Sequence, residues 1–203
     1  MRKNLSEQMH NALSEIGNIG AGNATTALSL MLSSKLTMTP PEVSLYDFNQ
    51  LENIFGGADA TIVGVLSNIE GDINVMLLFV LGEEDAKHLI QILVNENISF
   101  VSDYGKDVIN EIGNIMIGSY VASLESLSGI KMRYALPEVC IDMAGAILSV
   151  PCTVLGQVCD RALLINSGFQ SGEKRINGYI MMISESNSYD IILEKLGIGE
   201  SYE

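Results

Sequence analysis

The sequence is short of positive charge. Its 203 residues include 11 Lys plus Arg against 25 Asp plus Glu, a formal net charge of −14. Such a chain has no basic stripe with which to displace counterions from a phosphate backbone, which argues against nucleic-acid binding. An anionic membrane surface is disfavoured for the same reason. Cysteine is also scarce. Cys140, Cys152 and Cys159 are spaced by 12 and 7 residues, which forms neither a disulfide framework nor a paired zinc motif. They are expected to be reduced, partly buried thiols in a cytoplasmic protein. His10 and His88 stand alone and read as surface or packed residues rather than ligands. Long apolar runs are missing too. The longest, near Ile73 to Leu81, is interrupted by Asn74 and is too short to span a bilayer. The first seven residues lack the apolar segment of a signal peptide. What is present is a 47% apolar, 18% charged composition, that of a packed globular protein with one domain or two small ones.

The chain repeats itself. Glu15-Ile16-Gly17-Asn18-Ile19 recurs as Glu111-Ile112-Gly113-Asn114-Ile115, and Pro41-Glu42-Val43 as Pro137-Glu138-Val139, both at an offset of 96. No gap is needed between these anchors. Gly22 matches Gly118, Leu28 matches Leu124, Lys35 matches Lys131, and 11 of the 29 positions from 15 to 43 are identical. The chain therefore reads as two homologous halves, about 1–97 and 98–203, joined by a connector over residues 95–106.

Each half is expected to run long helix, strand, short helix, hairpin, helix. In the first, the strands are Glu42 to Tyr46, Ala60 to Ser67 and Ile73 to Leu81, with a turn at Asn68-Ile69-Glu70-Gly71. The short helix covers Asn49 to Phe55, and the closing helix Glu83 to Leu93. In the second, Gln157 to Asn166 and Arg175 to Ile183 flank a glycine-containing loop from Ser167 to Glu173. Ile141 to Leu148 is the counterpart of the short helix, and Ser188 to Leu196 closes the unit. Half-units of this size are marginal alone. The expected fold is one α+β domain over residues 1–203, with a pseudo-two-fold repeat and a largely antiparallel six-stranded sheet carrying two long helices.

The long helices carry an unusual face. At about 100° per residue, Leu13, Ile16, Gly20, Ala24, Ala27 and Met31 of the first helix, Glu7 to Leu32, share an arc of roughly 80°. Asn11, Glu15, Asn18 and Gly22 lie opposite within about 60°. The second copy places Ile109, Ile112, Met116 and Tyr120 inward, with Asp107, Glu111, Asn114 and Gly118 outward. Asn is a mediocre helix former, and each glycine costs a helix interior about 0.5–1 kcal/mol relative to Ala. Glycine there suits either a second surface approaching the Asn or close packing of helix on sheet.

Glu and Asn at i and i+3 form an incomplete site. Asn offers one acceptor and two donors on a short arm and can orient a water, but it is no nucleophile. Glu can pair with a lysine. No phosphate loop, metal set or nucleophile accompanies them. Gly17, Gly20 and Gly22 do not have the dinucleotide-loop spacing, and Asn stands where a diiron motif needs His. The missing chemistry is expected from a partner.

At these residues the sequence resembles the CheC/CheX/FliY family of chemotaxis phosphatases, its CheC branch most. The family pattern is Asp or Ser, three residues, Glu, two residues, Asn, twenty-two residues, Pro. Asp107, Glu111, Asn114 and Pro137 match it fully. Glu15, Asn18 and Pro41 match the first copy, where Asn11 replaces Asp or Ser. The resemblance implies hydrolysis of the phosphoaspartate of the response regulator CheY. Glu15 and Glu111 would pair with a regulator lysine, and Asn18 and Asn114 would orient the attacking water. The chain would need no cofactor or metal of its own, since Mg²⁺ belongs to the regulator. The resemblance also implies binding of the receptor deamidase CheD around a short helix at Ile141-Asp142-Met143-Ala144, with Asp142 as a contact. The protein is expected to be a monomer. A non-enzymatic adaptor for CheD or a regulator is the alternative reading.

Overall fold

The computed structural model describes residues 6–31, 36–94, 98–155, 161–171, 174–184 and 186–198. Lys35, Cys159 and the expected strand start at Gln157 lie outside the described residues. The first long helix, α1, runs Glu7–Met31 and its counterpart, α3, runs Asp103–Ser128. The repeat extends to their starts. The Ser6 hydroxyl accepts the Met9 N–H at 3.3 Å, and Ser102, 96 residues on, accepts the Gly105 N–H at 3.1 Å. Each thereby satisfies one of the orphan amides of a helix N-terminus. The expected connector is accordingly shorter than 95–106.

The sheet contains the strands β1 (Thr37–Met38), β2 (Glu42–Asp47), β3 (Thr61–Gly71), β4 (Val75–Gly82), β5 (Met132–Tyr134), β6 (Glu138–Met143), β7 (Arg161–Ser171) and β8 (Lys174–Ser184). It is mixed with helices and antiparallel at every pairing, as expected, but has eight strands among the described residues rather than six. The additions are β1 and β5, which are too short to show a period in sequence. β3 and β7 are also longer than expected. Asn68 to Gly71 continues β3, because β5 pairs there, and Ser167 to Ser171 continues β7, with β1 alongside at Phe169 and Gln170. Polar residues and glycine hide a strand whose partner is remote in sequence.

The two halves exchange strands. β1 and β2 of the first half pair with β7 of the second, while β5 and β6 of the second pair with β3 of the first. Met38 opposes Phe169 and Tyr134 opposes Ile69, so the exchange has the same register on both sides. Hairpins β3–β4 and β7–β8 meet through β4 and β8. In β4, Val75 to Leu81 are all buried, because both sheet faces are covered. Each such side chain contributes about 1.5–3 kcal/mol relative to exposure.

One sheet face carries α1, α3, α2 (Glu83–Val94) and α5 (Ser186–Lys195) over Val65, Leu77, Phe79, Ile165 and Ile180. The other carries the short 3₁₀ helix Phe48–Phe55 and α4 (Ala144–Leu155) over Ile62, Leu78, Leu164 and Met181. The second short helix thus begins at Ala144, not Ile141. Ile141 to Met143 end β6 and pair with Val63 to Thr61. The inward arc of α3 is borne out, with Ile109, Ile112, Met116 and Tyr120 all buried. In α1 it holds for Leu13, Ile16, Gly20 and Ala24, but Ala27 is half-buried and Met31 is 42% exposed. Leu28, 1% exposed, takes the inward place.

Candidate functional site

Glu15 and Asn18 lie one turn apart on the exposed side of α1, neighbours by helix geometry. Gly17, between them, is buried. A Cβ there would come within 3.1 Å of the Pro41 ring and 3.5 Å of Ile165. The glycine lets α1 press against the sheet, and the proline rests on that turn. The proline segment is tied down by Thr39, whose amide N–H donates to the Gly168 carbonyl at 2.9 Å.

α3 repeats the arrangement. Glu111 is exposed, Asn114 half-buried, and Gly113 buried between them. A Cβ on Gly113 would fall inside the Val65 side chain. Ala135, at the position equivalent to Thr39, donates its N–H to the Asn68 carbonyl at 2.9 Å. Its own carbonyl accepts the Ser67 hydroxyl at 2.7 Å. Pro137 is buried beside it. Asn11 and Asp107 are both exposed one turn before the respective glutamates. The paired glycines therefore divide. Gly17 and Gly113 serve helix-on-sheet packing, and Gly22 and Gly118 face outward. Gly20 has a third use. A Cβ there would lie 2.9 Å from the Tyr120 ring, so it admits that ring where α1 crosses α3. The Tyr120 and Ser167 hydroxyls hydrogen-bond beneath it, and burial pushes the phenol up to about 12.

The surroundings of the two Asn residues differ. Beside Asn18 an open groove of about 680 Å³ runs between α1 and the segment Leu36 to Pro41. Ala21, Gly22, Thr25, Thr26 and Met38 are among its walls. A Cβ on Gly22 would meet nothing within 4 Å, whereas one on Gly118 would lie 3.0 Å from the Tyr134 hydroxyl. Tyr134 occupies, 96 residues on, the position of Met38. The groove ends are closed by equivalent hydrogen bonds with different side chains. The Leu36 N–H donates to the Ser29 hydroxyl at 3.2 Å, and the Met132 N–H donates to the Glu125 carboxylate at 2.8 Å. The sequence reading passed over Tyr134, Ser29 and Glu125. Comparing residues that differ at the offset, rather than those that match, finds them.

Asp142 is exposed near the end of β6, and its carboxylate accepts the Met143 N–H at 2.7 Å. Leu136, Val139, Cys140, Val150 and Val154 of the second half, with Leu66 and Met76 of the first, line a groove of about 320 Å³. Burial pushes the Cys140 thiol up to about 11, so it packs as a neutral group at physiological pH. Among the described residues no three His, Cys, Asp or Glu side chains cluster to hold a metal ion, and no helix is long and apolar enough to cross a membrane.

Fold and site together define a class, a pseudo-two-fold α+β protein with one acid–amide pair at the surface of the long helix of each half. A model of the CheC-like family matches residues 10–45 and 105–141, once per half and over both pairs. The chain is 30% identical over 200 residues to the CheY-P phosphatase CheC of Bacillus subtilis, covering 95% of this chain and 96% of that protein. This protein belongs to the CheC-like family. It is also 25% identical over 139 residues, 66% of this chain and 36% of the relative, to the flagellar motor switch phosphatase FliY of Bacillus subtilis. The crystal structure of Thermotoga maritima FliY shares the fold, with a TM-score of 0.74 at 19% identity over 96% of this chain and 98% of that one.

Proposed function

We propose that this protein hydrolyses the phosphoaspartate of a CheY-type response regulator, using Glu15 with Asn18 and Glu111 with Asn114. The observation that carries the reading is the duplication of a Glu-x-x-Asn pair at one helical phase in both halves, with both glutamates and Asn18 exposed and Asn114 half-buried. Its support from relatives is the CheY-P phosphatase CheC, related over nearly the whole chain. On this reading a glutamate carboxylate pairs with a lysine of the regulator and fixes the approach. The Asn amide then reaches the phosphoryl group and holds a water in line with the bond to be broken. Water oxygen bonds to phosphorus, the acyl P–O bond breaks, the aspartate carboxylate leaves, and the water proton stays with inorganic phosphate. The regulator's Mg²⁺ supplies charge neutralisation at the phosphoryl oxygens. Positioning of this kind is the main protein contribution to phosphoryl transfer.

Loss of both amides in Asn18→Ala/Asn114→Ala is expected to slow decay of the phosphorylated regulator by about 10²-fold, the scale of removing one positioned donor from an active site. Decay at the unmodified rate would leave the protein an adaptor. We also propose Asp142 as a contact for a CheD-type deamidase, supported by its exposure near the end of β6, just before α4. Asp142→Lys is expected to weaken capture of that partner, and undiminished capture removes the assignment.

A further inference from the structure

We propose that Tyr134 is a positioning residue of the second site alone, a wall supplied by the protein itself that fixes where the partner's phosphorylated loop meets Asn114. The inference rests on the function proposed above. Gly22 and Gly118 occupy equivalent outward positions, one turn beyond their Asn. Gly22 borders open groove and has nothing within 4 Å of its Cβ position, while the Tyr134 hydroxyl lies 3.0 Å from that of Gly118. Tyr134 is 42% exposed, so its ring presents a face to whatever docks on Asn114. β5 holds it in place, with Tyr134 opposite Ile69. Met38, its equivalent opposite Phe169, is half-buried against the core and leaves Gly22 uncovered. A tyrosine ring offers a large, stiff contact area at small entropic cost, which is why such residues dominate small interfaces. The first site lacks this wall, and the partner alone must fill its groove.

The test reads each site separately in the full chain, using decay of a phosphorylated CheY-type regulator. In the Asn18→Ala background only the second site works, and in Asn114→Ala only the first. Tyr134→Ala is expected to raise KM for the regulator about tenfold in the Asn18→Ala background, with kcat within about twofold, as for truncation of an interface tyrosine. Tyr134→Phe keeps the ring and is expected to restore the parent KM. The proposal is overturned if Tyr134→Ala leaves KM unchanged or lowers it. It is also overturned if the loss is equal in both backgrounds, which would mark a role in the fold, or if Phe fails to rescue. Full activity of Asn18→Ala/Asn114→Ala would instead overturn the underlying function, so the two failures are distinct.

Discussion

Around Asn18 the protein leaves a groove of about 680 Å³, and around Asn114 it lays Tyr134 against the equivalent glycine. The residues of the acid–amide pair are the same, and each copy keeps its proline, Pro41 and Pro137, just after a backbone hydrogen bond of 2.9 Å to the sheet. What diverged is the rim. Ser29 and Glu125 close the same loop with arms of different length, and Met38 and Tyr134 point the same strand position to different ends. Two copies that keep a reacting pair while changing its border can differ in how a partner docks without differing in what is done to it. On the function proposed above, the shared pair would carry the chemical step and the differing rim the docking of the partner.

The comparison can be broken at several levels. The largest effect concerns the strand exchange, from which we propose that the two halves unfold as one unit. Leu164 lies mid-β7, between Ser44 of β2 and Met181 of β8. Leu164→Pro removes a ladder hydrogen bond and most of a buried leucine; it is expected to cost about 2–5 kcal/mol and to lower hydrogen-exchange protection in β2 of the other half as well as in β7. Retained protection in β2 would make the halves independent. Next come the single amide variants. Asn18→Ala and Asn114→Ala each leave one site, and the two are expected to differ several-fold in KM for the regulator with similar kcat. Identical KM values would make the rim irrelevant.

Two smaller effects test the glycines. Gly113→Ala drives a methyl into Val65 and is expected to cost about 1–3 kcal/mol in chemical denaturation. Gly17→Ala meets the Pro41 ring at 3.1 Å and Ile165 at 3.5 Å, both looser than the Val65 overlap, and should cost less. Equal losses would mean that the two helices press on the sheet alike. The smallest effect is at the outward pair. Gly22→Ala is expected to stabilise by about 0.5–1 kcal/mol through helix propensity, seen as a raised Tm. Gly118→Ala must displace the Tyr134 hydroxyl at 3.0 Å and should gain little. Equal gains would show that Tyr134 yields freely.

Much of this was legible in advance where the determinants are local. The span of α1, the inward set of α3, the hairpins and both Glu-x-x-Asn pairs follow from period and offset, because one turn of helix carries its own pattern. Polar or short segments were not legible. Asn68 to Gly71 looks like a turn until β5 arrives from sixty residues away, and Ile141 to Met143 look helical until β3 claims them. Met31 satisfies the helical arc yet lies 42% exposed, since an arc says which side faces the sheet but not where the sheet ends. Tyr134 shows in the sequence only as a departure from Met38 at the offset, and nothing in its neighbours says that Gly118 lies beneath it.

By itself the sequence determined that the protein is a duplication and that each copy shows an acid–amide pair on one helix face, because both facts are written in spacing along the chain. Only the tertiary structure decided that each half finishes the other's sheet and that one pair borders an open groove while the other borders a tyrosine. Those depend on contacts between residues far apart in sequence, where a single side chain at the rim, rather than any repeated pattern, settles which space is filled.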